Sequence, residues 1–428
     1  MNREILRLAI PNILSNISVP LLSTVDIALM GRMSANHIAA IGVGGMIFNF
    51  IYWNFGFLRM GTTGMTAQAF GANDAKKQAA ILFQALVVGL ILAIGVVVLS
   101  NPLMNLASFL LQLDGTQTSI VQEYFFIRIW DAPASMMLYG IMGWFFGMQN
   151  AKYPLLLTLW INICNIIVSY MLVVYYDWEI AGVAWGTVAA QYSGVVVGLI
   201  LLITKYRHLF RDTSIFNRLG DLGKFLTINA DIFVRTICLT LAFGIFYSQS
   251  SGLGSGVLAA NVVLLLFVNW MSYAIDGFAY AAESLVGKYK GRSDDSSTIA
   301  AIKLIFKWTG GAALLISATY YMYADELTTI FTDQGEVIAE VLNYRIWVIL
   351  FPVLAFVCYI WDGVFIGLTA VHAMRNSMIM AFVLYLPTLL LGGLYFGNNG
   401  LWAGLLLFMI YRGGLQTYLF WKHRLSIK

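Results

Sequence analysis

The chain has 428 residues, of which 60% are hydrophobic and only 11% charged, with a formal net charge of +4. A soluble globular domain carries about 25% charged residues, so this composition excludes a soluble enzyme and indicates an all-α integral membrane protein with no nucleic-acid partner. Cys164, Cys238 and Cys358 lie far apart in apolar stretches, and the four histidines are scattered, so no metal, cofactor or disulfide framework is expected.

Apolar stretches of about 20 residues, the length that crosses a bilayer, recur along the chain. They predict twelve helices, near 5–31, 38–68, 78–110, 119–148, 153–176, 181–204, 222–249, 255–286, 298–322, 335–368, 376–396 and 400–421. Arg3 and Arg7 lead straight into the first with no small-residue cleavage site, so no removable signal peptide is expected. That first helix carries Pro11 and Pro20, each of which removes a backbone hydrogen bond and leaves a joint that can bend. It also carries Asp26 inside an apolar run. A carboxylate in hydrocarbon is costly unless it faces a cavity or a partner, so Asp26 is a candidate cation binder.

Arg128 and Asp131 precede Pro133 in the fourth helix. The fifth holds Asn162, Asn165 and Ser169, the last two sharing a face. Thr187 in the sixth follows Gly182 and Gly186, whose spacing lets helices approach closely. These amides and hydroxyls would either coordinate Na⁺ with Asp26, hold a protonated Asp26 by hydrogen bonds, or join helices. In the second half, Asp231 and Arg235 stand four apart and are expected to neutralise each other. Asp276 and Glu283 share one helix face two turns apart, and Asp362 lies deep in the tenth helix, so all three are candidates for a transport path. Arg59, Arg128 and Arg345 are candidate counter-ions.

Lysine and arginine set the orientation. One side carries Arg3, Arg7, Lys76, Lys77, Lys152, the run Lys205–Lys224, Lys288, Lys290, Arg292, Arg375 and Lys422; the other carries mostly Asp and Glu. Both termini are therefore expected in the cytoplasm. The basic run divides the chain into an N-lobe, 1–204, a cytoplasmic linker, 205–221, and a C-lobe, 222–428. Internal repetition agrees: Gly71 with Gly287, Arg128-Ile-Trp with Arg345-Ile-Trp, Pro133 with Pro352 and Gly147 with Gly367 recur in order at offsets of 216 to 220. Six helices return the chain to its starting side, so the repeat is parallel.

Several segments together resemble the multidrug and toxic compound extrusion (MATE) transporters, in their DNA-damage-inducible F branch. They are Leu8-Ala-Ile-Pro-Asn-Ile-Leu with Pro20-Leu-Leu-Ser-Thr-Val-Asp-Ile-Ala-Leu-Met-Gly31, Gln68-Ala-Phe-Gly-Ala, Ile127-Arg-Ile-Trp-Asp-Ala-Pro133 and Gly182-Val-Ala-Trp-Gly-Thr187. In the second half, Ala282-Glu-Ser-Leu-Val-Gly287 and Trp361-Asp-Gly-Val-Phe-Ile-Gly367 correspond. The resemblance implies two six-helix lobes around a V-shaped central cleft. It also implies export of amphipathic, often cationic compounds in exchange for H⁺ or Na⁺, from a bacterial or archaeal plasma membrane. It makes Asp26, Asn165 and Thr187 the coupling site, Pro11 the bending point, and Tyr124 and Arg128 cleft residues of the fourth helix. Ser169 stands where related proteins often place a second aspartate. One carboxylate instead of two favours H⁺ over Na⁺, which needs several hard oxygens and compensating charge. Two lobes in one chain complete a transport path, so a monomer is expected. The alternative within the superfamily is a flippase for lipid-linked precursors, which would call for phosphate-binding arginines in the cleft. No nucleophile–base pair, Walker motif or phosphate loop supports an enzyme or an ATP-driven pump.

Overall fold

The computed structural model describes residues 1–30, 35–113, 115–210 and 222–422, with side chains described outside 19–36 and Thr116. Every regular element among them is helical. α1 spans Asn2–Met30; α2 (Ala35–Phe55) and α3 (Phe57–Gly71) share one predicted span, separated at Gly56. α4 (Ala75–Val98) and α5 (Ser100–Leu111) divide the next, and α6 (Gly115–Arg128) reaches α7 (Ala132–Gly147) through one 3₁₀ turn at Ile129–Asp131. Pro133 sits in the first turn of α7, where its missing N–H costs nothing. α8 (Lys152–Tyr170) ends in a π turn, Met171–Tyr175, and α9 runs Glu179–Tyr206. The second half comprises α10 (Leu222–Ser251), α11 (Ser255–Gly291), α12 (Asp295–Met322), the short α13 (Ala324–Phe331), α14 (Gly335–Gly367) and α15 (Val371–Lys422). The last two predicted helices are both in α15, broken at Gly397, whose φ of 56° and ψ of −135° leave helical geometry. Among the described residues, nine helical stretches are long and apolar enough to cross a membrane.

The halves repeat each other in detail, in a register that backbone geometry defines. Left-handed residues follow α3 and α7 at Asn73 and Gln149, and follow α11 and α14 at Ser293 and Thr369; 293 − 73 and 369 − 149 are both 220. Asp74 caps α4 by accepting from the Lys77 N–H at 3.0 Å, and Asp294 caps α12 by accepting from the Ser297 N–H at 2.9 Å, again 220 apart. Glycine contacts recur too. A methyl at Gly143 would stand 2.5 Å from the Arg59 carbonyl oxygen, and one at Gly363 would overlap the Ala279 carbonyl oxygen; both pairs differ by 220. Gly147 and Gly367 repeat this one turn on, against Thr63 and Glu283. In lipid, where burial between helices supplies little driving force, such close backbone approach is what joins α3 to α7 and α11 to α14. The register also corrects three sequence matches: Gly287 is equivalent to Ala67, Arg345 to Phe125 and Pro352 to Ala132, each by subtraction of 220.

The chain forms two compact units, Leu14–Leu226 and Thr227–Lys428 with Met1–Ile13. In the first, Phe48 stacks on Phe125 with centroids 5.2 Å apart. In the second, Phe246 packs edge-on to Trp402 at 5.1 Å, and Tyr385 lies 4.9 Å from Phe408. Met1–Ile13 is fastened to its unit at the start of α1. Glu4 accepts from Lys288 Nζ at 2.7 Å and from Tyr289 Oη at 2.8 Å, and Asn2 accepts from Trp308 Nε1 at 3.0 Å. Gly277 completes the seat, since its missing side chain makes room for Ile13 and the Ala9 carbonyl.

Candidate functional site

In the first unit α1 and α8 run side by side. Ser15 Oγ donates to Thr158 Oγ1 at 2.8 Å, and Asn162 Nδ2 donates to the Ser18 carbonyl at 3.2 Å. These two pairs climb both helices in the same direction. The Asp26 and Pro20 side chains lie outside the described residues; both belong to the backbone of α1. Asp26 is eight residues past Ser18, about 12 Å of helix rise.

Asn165, Ser169 and Thr187 do come together. Asn165 Nδ2 donates to Thr187 Oγ1 at 2.9 Å, and that hydroxyl donates to the Val183 carbonyl at 3.1 Å. All three side chains are buried, Ser169 completely. Gly186 on α9 lets Ser169 in: any Cβ there would overlap its hydroxyl and stand 2.8 Å from its backbone nitrogen. Asn165 Oδ1 and Ser169 Oγ have no hydrogen-bond partner among the described residues. A buried acceptor left unmade is costly, so the α8 face offers two oxygens suited to a proton donor or a cation.

Tyr124, Arg128 and Asp131 form a separate cluster where α6 gives way to the 3₁₀ turn. Tyr52 donates to one oxygen of the fully buried Asp131. Arg128 Nη1 donates to Tyr124 Oη at 2.6 Å, its Nε lies 3.7 Å from Asp131 Oδ2, and its guanidinium stacks 4.7 Å from the Phe48 ring centroid. Tyr124 is buried among aromatic rings. These contacts tie α6 to α2.

The second unit arranges its charges differently from the sequence expectation. Asp231 and Arg235 do not neutralise each other. Asp231 pairs with Arg375 Nη1 at 2.6 Å and His372 Nδ1 at 2.6 Å, whereas Arg235 pairs with Asp362. A same-helix pair is worth only a few tenths of a kcal/mol, and buried charge-assisted bonds between helices outweigh it. Asp362 also accepts from Arg412 Nη2 at 2.8 Å and Gln416 Nε2 at 2.6 Å. Its carboxylate therefore joins α10, α14 and α15 in a buried knot. Arg412 and Gln416 escaped sequence reasoning, although a lone arginine 12 residues into the predicted 400–421 span was the available signal. Glu283 is buried and Asp276 half-buried on α11. Arg345 instead meets the exposed Asp325 at 3.3 Å.

The repeat makes the two halves comparable residue by residue. Subtraction of 220 aligns Tyr385 with Asn165, Leu389 with Ser169 and Asp362 with Met142. The α9 contact recurs at a shift of 218: Gly404 seats against Leu389 as Gly186 seats against Ser169. Thus Leu405 stands for Thr187, and Gly194 and Gly198 stand for Arg412 and Gln416. In the second unit Tyr385, Leu389 and Leu405 replace the amide and hydroxyls of α8 and α9, with the Tyr385 hydroxyl donating to the Ala242 carbonyl, and the buried ionic knot has no counterpart in the first. Duplication supplied one scaffold, and the halves have since taken different chemistry.

Among the described residues, no group of three or more His, Cys, Asp or Glu side chains is placed to hold a metal ion. The MatE family model matches residues 11–171 and again 232–391, so the same pattern occurs twice, 221 residues apart at its start and 220 at its end. DNA damage-inducible protein F of Escherichia coli is 34% identical over 426 residues, covering 98% of this chain and 92% of that one. A probable multidrug resistance protein NorM of Photorhabdus laumondii is 26% identical, covering 80% and 76%. The fold matches a multidrug resistance MATE family transporter of the MOP superfamily in its outward-facing conformation, with TM-score 0.87, 17% identity and coverage of 99% and 95%. It also matches the Vibrio cholerae MATE transporter VcmN in its bent form, with TM-score 0.88, 19% identity and coverage of 99% and 97%. The chain belongs to the MatE family of multi-pass membrane transporters.

Proposed function

We propose that this protein is a secondary antiporter that exports amphipathic, often cationic compounds in exchange for H⁺, with Asp26, Asn165, Ser169 and Thr187 as its coupling site. The observation that carries the reading is the pair of buried oxygens, Asn165 Oδ1 and Ser169 Oγ, that have no hydrogen-bond partner among the described residues, on the face of α8 that α1 lies against through Ser15 and Ser18. A protonated carboxyl group at Asp26 brings the O–H donor such acceptors lack. Na⁺ would take several hard oxygens and draw on a single carboxylate, with Ser169 in place of a second, so it is the less suited ion. The bend belongs to α1, because residues up to Ile13 are part of one compact unit and residues from Leu14 part of the other. Pro11, just before that boundary, and Pro20, beyond it, interrupt its hydrogen-bond ladder.

In this mechanism Asp26 takes up a proton in the outward-open state, α1 bends, and the cationic substrate leaves; proton loss to the inside restores the negative charge that attracts the next substrate. Proton and substrate compete for one charge, so each biases the same conformational equilibrium by its differential affinity. The N-lobe from Leu14 onward and the C-lobe with Met1–Ile13, joined by the cytoplasmic linker 205–221, act as the two moving bodies of a monomer in the plasma membrane, with both termini cytoplasmic. Tyr124, Arg128, Asp131, Asp276 and Glu283 remain candidates for the substrate path, Asp362 less so because its carboxylate is already matched by Arg235, Arg412 and Gln416. The test is export of a fluorescent cationic dye from proteoliposomes under an imposed pH or Na⁺ gradient. Drive by the pH gradient, lost in Asp26→Asn with insertion intact, is the expected result; normal export by Asp26→Asn would overturn the mechanism.

A further inference from the structure

A groove of about 470 Å³ runs between the start of α1, α11 and α12 in the second unit, lined by Asn2, Leu6, Phe278, Leu304, Gly311 and Leu315 with Lys307 and Trp308 at its rim. We propose that it is a binding site for one anionic glycerophospholipid, its phosphate held at Lys307 and Lys303 and an acyl chain lying along Leu304, Gly311 and Leu315. Three observations carry this. First, the floor from Leu304 to Leu315 spans eleven residues, about 16 Å of helix rise, which is close to one leaflet of a hydrocarbon core about 30 Å thick. Second, Lys303 and Lys307 are the only charged residues between Asp295 and Asp325, one helical turn apart, and neither forms an ion pair among the described residues. Unpaired ammonium groups on an apolar helix reach along their stems for the interface, where an anionic headgroup is the available partner. Third, Trp308 at the rim of the same groove donates from Nε1 to Asn2 Oδ1 at 3.0 Å at the first residues of α1, and tryptophan is a residue enriched at the membrane–water interface. Leu314 and Leu315, 62% and 69% exposed, show that this face of α12 looks onto lipid.

Gly311 offers a clean perturbation, because a Cβ there meets nothing within 4 Å. Gly311→Leu fills the groove without disturbing packing, and Lys307→Gln changes an exposed side chain. The measurement is native mass spectrometry of the purified full-length protein with phosphatidylglycerol and phosphatidylcholine of matched acyl chains. The wild type retains one phosphatidylglycerol in preference to phosphatidylcholine. Lys307→Gln lowers that preference about fivefold, the effect of one basic residue near an anionic surface, and Gly311→Leu loses the retained lipid of either headgroup. An unchanged preference in Lys307→Gln, or undiminished retention in Gly311→Leu, overturns the proposal. So does a protein dimer that Gly311→Leu abolishes, since the groove would then belong to a second copy of the chain.

Discussion

Asp362→Asn tests whether the ionic knot of the second unit is structural. The carboxylate faces Arg235 and Arg412 at once, and both guanidiniums are buried, Arg412 at 1% exposure. Removal of one partner from a buried ion pair costs about 3–5 kcal/mol, because the remaining charge has no compensation. The unit that contains it has 215 residues. For a domain of that size each kcal/mol moves Tm by about 2–4 °C, so Asp362→Asn is expected to lower Tm by about 6–20 °C. The assay is thermal unfolding of the purified protein in detergent, followed by tryptophan fluorescence, beside dye export by the same preparation. A second variant isolates the cause. Arg235→Met, Asp362→Leu and Arg412→Met combined remove all three charges while keeping volume, and an apolar replacement of a buried ionic group is often near neutral. The triple variant should melt above the single one. An Asp362→Asn protein that keeps its Tm but loses export would refute the reasoning and return Asp362 to the transport path.

Two further outcomes follow from the same geometry. Gly143→Ala and Gly363→Ala each drive a methyl into a carbonyl oxygen of the facing helix, Arg59 in one unit and Ala279 in the other. Both should cost about 1–3 kcal/mol from overpacking, and a marked inequality in their melting shifts would argue against an equivalent α3–α7 and α11–α14 seat. At the start of α1, burial pushes the Glu4 carboxyl up, but hydrogen bonds from Lys288 and Tyr289 and the Lys288 charge hold it below its ordinary value of 4.5. A depressed folded-state pKa makes the clamp's contribution fully present above about 4.5 and lost as pH falls through the lower folded value. Wild type should therefore lose Tm relative to Glu4→Gln below pH 4.5, and parallel melting curves for the two proteins would show that the clamp contributes nothing.

Much of this molecule was legible in one dimension. A bilayer imposes a fixed span length, so apolar runs located the helices, and the break between the last two predicted spans falls at Gly397 as expected. Duplication was visible too, because each half keeps glycines, and within one position a proline, at corresponding places. Its register was not: single-residue matches gave 216 to 220, whereas left-handed turns, capping aspartates and glycine contacts agree on 220. Those features are set by backbone conformation and by what a missing side chain admits, and neither has a unique residue signature. Asn165, Ser169 and Thr187 could be grouped from helical spacing because they lie on consecutive helices. Arg235 has Asp231 four residues before it on the same helix, yet it reaches Asp362, 127 residues away, beside Arg412. Helical periodicity is a local property that the sequence carries in full. The partner of a buried charge depends on which helices meet at that depth, and only the tertiary structure decides that.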